Sequence, residues 1–235
     1  MKNIFLVVFI AFLFLGCRNS ILNYALESRG VFKDHVRLVK LPFKDKTIVF
    51  IPMHHVGTKT YYDDVASKID SLKKENFFFY YEKLSNQSIN DTVFIKFRKM
   101  LGSPIPKKGY MKFIDSAYSG IKFKKSLIDQ PTYEILGLDS KNSVNGDATI
   151  ENLIQKYEST YGKITLTKCD FDTSIFEKYG KCKEENRISK KNSDKVVVDA
   201  RNEVLFNNIK NSSYEKVGII FGSAHLDGLE NLINK

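Results

Sequence analysis

The chain has 235 residues, with 37 lysines and arginines against 27 aspartates and glutamates, a formal charge of +10. That length suffices for one domain with a sizeable core. The lysines are scattered, no helix carries a basic stripe and no RNA-binding aromatic pattern is present, so the charge does not point to nucleic acid; it suits solubility and attraction to an anionic membrane surface.

In chain order, the first residues read as an export signal. Met1-Lys2-Asn3 is a short basic start, and Ile4 to Leu15 is an apolar run too short to span a bilayer comfortably. The run ends in Phe14-Leu15-Gly16-Cys17, which resembles a bacterial lipoprotein box, although phenylalanine stands where leucine is usual. Residues 1–16 would then be the signal peptide and Cys17 the lipidated residue, anchoring the protein in the cell envelope. An uncleaved anchor or an ordinary secretory signal is the alternative. Outside the cytoplasm, Cys169 and Cys182 have the setting for a disulfide, worth roughly 3 kcal/mol by loop-closure entropy. A metal pair is the other reading, with no CxxC spacing or neighbouring histidine beside it.

Residues 17–44 form a polar lead-in. Residues 47–53 are rich in Ile, Val and Phe, as in a strand buried on both faces. Tyr62, Val65, Ile69 and Leu72 then recur at helical spacing, with Asp63 and Asp64 early and Lys73 and Lys74 late, an order that suits the helix dipole. Residues 77–81 predict an aromatic strand running into Glu82, and strand–helix–strand order implies a parallel crossover. A helix over 92–101, a break at Gly102-Ser-Pro-Ile-Pro106 and a second helix over 109–126 follow. Residues 133–138 read as a strand ending at Asp139, 150–161 as a helix and 163–166 as a short apolar alternation. Residues 169–193 read as a lysine-rich loop. A helix over 196–210, a strand over 217–221 and a helix over 226–233 close the chain. The expected fold is one α/β domain over 45–235, with a central mostly parallel or mixed sheet flanked by helices and a helical insertion at about 85–130.

Two histidine motifs follow strand-like runs: Thr47-Ile-Val-Phe-Ile-Pro-Met-His-His-Val-Gly57 and Val217-Gly-Ile-Ile-Phe-Gly-Ser-Ala-His225. Ligand sites in α/β sheets form at the carboxyl ends of strands, so two imidazoles there, with a carboxylate, suit a divalent metal. Strand neighbours point to opposite faces, so one of His54 and His55 faces the site, and spacing does not say which. Gly222 removes a Cβ where a ligand or second backbone must approach. Glu82 would lie beside the first histidine turn, as metal ligand, as general base on a metal-bound water, or as an ordinary strand-end acid. Arg201 offers a fork for a carboxylate, a phosphate or an oxyanion, or pairs on the helix surface with Asp199 or Glu203. Asp139 could enter the site or open a turn. Asp227 could orient an imidazole or cap the last helix. His35 lies outside every motif and reads as a surface residue.

The run Phe50-Ile-Pro-Met-His-His-Val-Gly-Thr-Lys-Thr-Tyr-Tyr-Asp-Asp64, then Tyr80-Tyr-Glu82, Asp199-Ala-Arg-Asn202 and Phe221-Gly-Ser-Ala-His225 resembles the TraB/GumN family. That family includes the Tiki proteases and is similar in fold to erythromycin-esterase and ChaN-like proteins. The resemblance covers most of residues 47–233, with Pro52 in place of the first motif glycine. It implies His55, Glu82, Arg201 and His225 as catalytic residues, the first two and His225 holding Mn, Co or Zn. It also implies hydrolysis of a peptide or small polar substrate. The ChaN-like branch suggests iron or haem, and a non-enzymatic lipoprotein binding a peptide signal, metal or haem in the same cleft is the alternative.

Overall fold

The computed structural model describes residues 19–87, 90–107, 109–117, 120–178 and 188–235. The signal segment, Cys17 and Cys182 lie outside the described residues. Cys169 is disulfide-bonded. Among the described residues no helix is long and apolar enough to cross a membrane.

The molecule is mixed α/β. A helix over 19–28 (α1) leads to β1 (Val39–Phe43), β2 (Lys46–Met53), β3 (Val56–Gly57) and α2 (Lys59–Lys74). Next come β4 (Phe78–Tyr81), α3 (Asp91–Leu101), α4 (Tyr110–Ala117), β5 (Ile128–Asp129), β6 (Ser143–Asn145), α5 (Ile150–Tyr161) and α6 (Lys168–Asp172). The chain closes with α7 (Lys190–Asn211), β7 (Lys216–Gly222), a 3-10 turn (Ser223–His225) and α8 (Leu226–Ile233). The main sheet runs β1-β2-β7-β4-β6, parallel except for β1. A separate two-stranded ladder joins β3 to β5.

Residue alternation on β2 builds both cores. Val49, Ile51 and Met53 enter one cluster with Val65, Ile69 and Leu72 of α2, whereas Ile48 and Phe50 enter the other with Leu205 and Ile209 of α7 and Leu229 of α8. Helices therefore cover both faces, and each buried Val, Ile, Leu or Phe contributes about 1.5–3 kcal/mol. The α2 helix starts where the Thr58 hydroxyl accepts the Tyr61 N–H at 3.1 Å, and it ends in Lys73 and Lys74. Placing β7 last in sequence but centre in space puts the second histidine motif between β2 and β4. The third cluster, shared by α3, α5 and α7, is the helical layer beside that sheet.

Several expectations are corrected. Residues 133–138 are successive turns, not a strand: Gly137 adopts a positive φ of 90°, and the strand beside β4 is the short β6 instead. The helix expected over 109–126 is only Tyr110–Ala117. The long helix begins at Lys190, capped by Ser189, and α6 occupies part of the expected loop. The lead-in is not separate, since Val39–Phe43 pairs antiparallel with β2.

Candidate active site

The carboxyl ends of β2, β7, β4 and β6 bring Glu82, Asp147, Arg201 and His225 together. Glu82 does not sit beside the first histidine turn, because β7 intervenes; it sits beside the second. Its backbone N–H donates to Ile220 at 3.0 Å and its carbonyl accepts the Tyr133 hydroxyl at 2.5 Å, so its position is set from both sides. Its Oε2 accepts the Gly222 N–H at 2.5 Å and its Oε1 accepts Arg201 Nη2 at 2.5 Å. A Cβ on Gly222 would stand 3.2 Å from Oε2. A side chain there would crowd the carboxylate by a few tenths of an ångström, and glycine leaves its approach to the backbone donor open.

Arg201, on α7, is held by two acids. Its Nε donates to Asp147 Oδ1 at 2.8 Å and its Nη2 to Asp147 Oδ2 at 2.6 Å, a two-pronged contact that fixes the guanidinium plane. The Asp147 side chain has no exposed surface. Burial by itself would lower the pKa of Arg201, but the hydrogen bonds and charges of Asp147 and Glu82 outweigh it and the net shift is upward. Its Nη1 has no hydrogen-bond partner among the described residues. The surface pairing of Arg201 with Asp199 or Glu203 does not occur: Asp199 pairs with Lys195 and Glu203 with Lys156.

His225 is 4 % exposed. Its Nδ1 lies 2.8 Å from Asn202 Oδ1 and its Nε2 lies 3.8 Å from Glu82 Oε1. The amide oxygen can only accept, so Nδ1–H is the donor of this pair, and Nε2 is the ring nitrogen that faces the carboxylate. Asn202 fits only because residue 228 is glycine; a Cβ there would overlap its Nδ2. The orienting role considered for Asp227 thus belongs to Asn202, and Asp227 is exposed in the first turn of α8. Asp139 is likewise exposed, its Oδ1 accepting the N–H groups of Lys141 and Asn142 in a turn. His35 is on the surface, its side chain 80 % exposed.

The two histidines after β2 diverge. His55 is exposed, and its pKa is lowered by desolvation, with Glu82 opposing and Arg201 reinforcing; half-buried His54 is lowered too, by desolvation with Lys33 and His55 adding to it. Of the two, His55 is the one that feels the charges of Glu82 and Arg201. Tyr61 and Tyr62 of α2 secure the turn by donating to the carbonyls of Pro52 at 2.5 Å and His54 at 2.7 Å. The insertion reaches over it. Gln130 N–H donates to the His55 carbonyl at 2.9 Å, Asp129 accepts the Met111 N–H at 2.8 Å, and Tyr110 stacks on His55 with ring centroids 4.2 Å apart.

Two ligands of a tetrahedral ion with bonds near 2.1 Å stand roughly 3.4 Å apart, so the Glu82–His225 spacing of 3.8 Å suits two positions on one ion. Among the described residues no three of histidine, cysteine, aspartate and glutamate gather as a metal group, although His55 lies near enough to feel the charge of Glu82. The charge of Glu82 is met instead by Arg201.

Sequence reasoning brought out Glu82, Arg201, Gly222 and His225, which meet. It missed Asp147, Tyr110, Tyr133 and the role of Asn202. The available signals were the Asn145-Gly146-Asp147 turn sequence and Asn202 next to Arg201. Neither a scan of family models nor searches of curated proteins and solved structures finds a match to this chain.

Proposed function

We propose that the chain is an envelope-anchored, metal-dependent hydrolase of the TraB/GumN type, acting on a peptide or similar small polar substrate, exported and tethered through lipid on Cys17. The observation that carries this reading is the buried Glu82 carboxylate, held by Arg201 and the Gly222 N–H, with Nε2 of His225 3.8 Å from it. Two proton acceptors on one wall can take a proton from an attacking water and return it to a leaving group. Arg201 Nη1 is the donor left for a developing oxyanion, and Asp147 keeps it aimed. Glu82 and His225, with His55 as the further donor, would hold Mn, Co or Zn. Such an ion, when bound, would polarise the scissile carbonyl and acidify its water.

Digestion of a peptide library by the full chain with Mn, Co or Zn tests this. The expected result is new cleavage products by mass spectrometry that vanish in His225→Ala, with that variant's thermal melt intact and its bound metal reduced. Identical products from both proteins would end the proposal.

A second reading, a non-enzymatic lipoprotein retaining a peptide signal, metal or haem in the same cleft, is favoured by Pro52. By its place three residues before the histidine, Pro52 stands where Gly222 stands in the second motif, and proline has no N–H to offer a carboxylate; in the sheet it is Met53 that lies opposite Gly222. Tight retention without turnover, abolished by His225→Ala, would select it.

A further inference from the structure

A groove of about 450 Å³ opens at the same sheet edge, where β1 begins and β2 and β7 end. Its lining includes the cations Arg29, Lys33, Arg37 and Lys40, which make up its basic wall, together with the strand-end residues Pro52, His54 and Ser223. No aspartate or glutamate lines it. All four cations are exposed, and none has an ion-pair partner among the described residues. Elsewhere lysines pair with acids one turn along a helix, as Lys59 does with Asp63, Lys168 with Asp172 and Lys190 with Asp194.

The nearby acids do not neutralise the wall. Asp34 is taken by Lys125 and Thr58, and Asp64 by the Val36 N–H and His35. Four like charges around one concavity raise the local positive potential and concentrate anions there. The groove is also amphipathic, with Leu38, Val39 and Leu226 in its lining. A bare inorganic anion would leave that apolar surface unused. A membrane would meet a concave face, edged by strand ends.

We propose that this groove binds an acidic, partly apolar peptide segment, with side-chain carboxylates on Arg29, Lys33, Arg37 and Lys40 and apolar side chains on the leucines and valine. Ser223 directly follows Gly222, whose N–H holds Glu82, so a chain lying in the groove leads to the Glu82–His225 pair. The inference rests on the peptide-hydrolase reading and specifies its substrate: the groove selects acidic sequence flanking the cleaved bond. His54 serves as a wall of the groove while His55 serves the reacting side.

The test uses the full chain in neutral detergent and fluorescence anisotropy of a labelled glutamate/leucine hexapeptide and its lysine/leucine counterpart. The acidic peptide is expected to bind about tenfold or more tightly than the basic one at roughly 0.1 M salt, with affinity falling as salt rises. The double reversal Lys33→Glu, Arg37→Glu, at exposed positions, is expected to remove about tenfold of that affinity while leaving the thermal melt in place. Equal binding of the two peptides, no effect of the reversal, displacement by inorganic phosphate as complete as by unlabelled peptide, or stronger binding to phosphatidylglycerol vesicles than to peptide would each overturn the proposal. Measuring binding and hydrolysis side by side in the parent protein separates the two claims. Hydrolysis without acidic preference removes the groove alone, and acidic-peptide binding in a protein that never cleaves removes the hydrolase alone.

Discussion

Arg201→Met is expected to lower the unfolding free energy by about 3–5 kcal/mol at neutral pH and to change how acid acts on the fold. The substitution keeps much of the side-chain length but removes the cation that two buried carboxylates share. In the parent protein burial pushes the Glu82 pKa up, yet Arg201, His225 and the Gly222 N–H together outweigh it, and the net position is below the ordinary 4.5. A depressed carboxylate contributes stability that is full above about pH 4.5 and lost as pH falls through the folded value. Without Arg201, burial dominates and the folded pKa rises above the ordinary one. The folded state then holds the proton more tightly than the unfolded chain, so stability is present at low pH and lost as pH rises. Burial also depresses His54 and His225, which weakens both proteins as pH drops below about 6.5. The difference between variant and parent reports the charges that Arg201 faces, chiefly Glu82 and Asp147. Urea midpoints at pH 7 and pH 5 should show a gap that narrows on acidification; an equal gap at both pH values would mean the guanidinium does not hold those charges.

Glu82→Gln is expected to reduce kcat/KM for peptide hydrolysis by about 10²–10⁴-fold, the usual worth of a positioned acid–base group. The two molecules differ by one atom, but the carboxylate accepts from Gly222 and from Arg201 at once. An amide has a single oxygen, so its NH2 group must face one of those donors. The fold should weaken less than in Arg201→Met, because no charge is left buried without a partner. Activity within tenfold of the parent would assign Glu82 a structural role only.

Much of this arrangement was legible in the sequence, and the reasons are physical. Runs such as Ile48-Val-Phe-Ile51 and Val217-Gly-Ile-Ile-Phe221 must be buried on both faces, so the central parallel strands and the residues just beyond them could be placed. The α2 helix was readable from Tyr62, Val65, Ile69 and Leu72, all of which are buried. Strand order was not readable. Nothing local tells β7 to insert between β2 and β4, and for that reason Glu82 was expected beside His55 rather than His225. Residues 133–138 alternate like a strand but carry Gly137 at positive φ, where Leu136 and Leu138 reach the core from turns. Asp147 escaped notice because β6 spans only Ser143–Asn145, too short to raise a periodic signal. Tyr110 meets His55 only through the β3–β5 ladder, a contact between distant segments.

The imidazole of His225 offers the most direct measurement. Nitrogen-15 NMR of the full chain in detergent should show Nδ1 protonated and Nε2 free at neutral pH, with the ring titrating below 6.5, since burial and Arg201 depress it more than Glu82 and Asp147 raise it. Asn202→Ala, or Gly228→Ala with its displaced amide, should shift that tautomer. A ring protonated at Nε2, titrating at or above 6.5 and indifferent to Asn202, would contradict a His225 poised to take a proton beside Glu82.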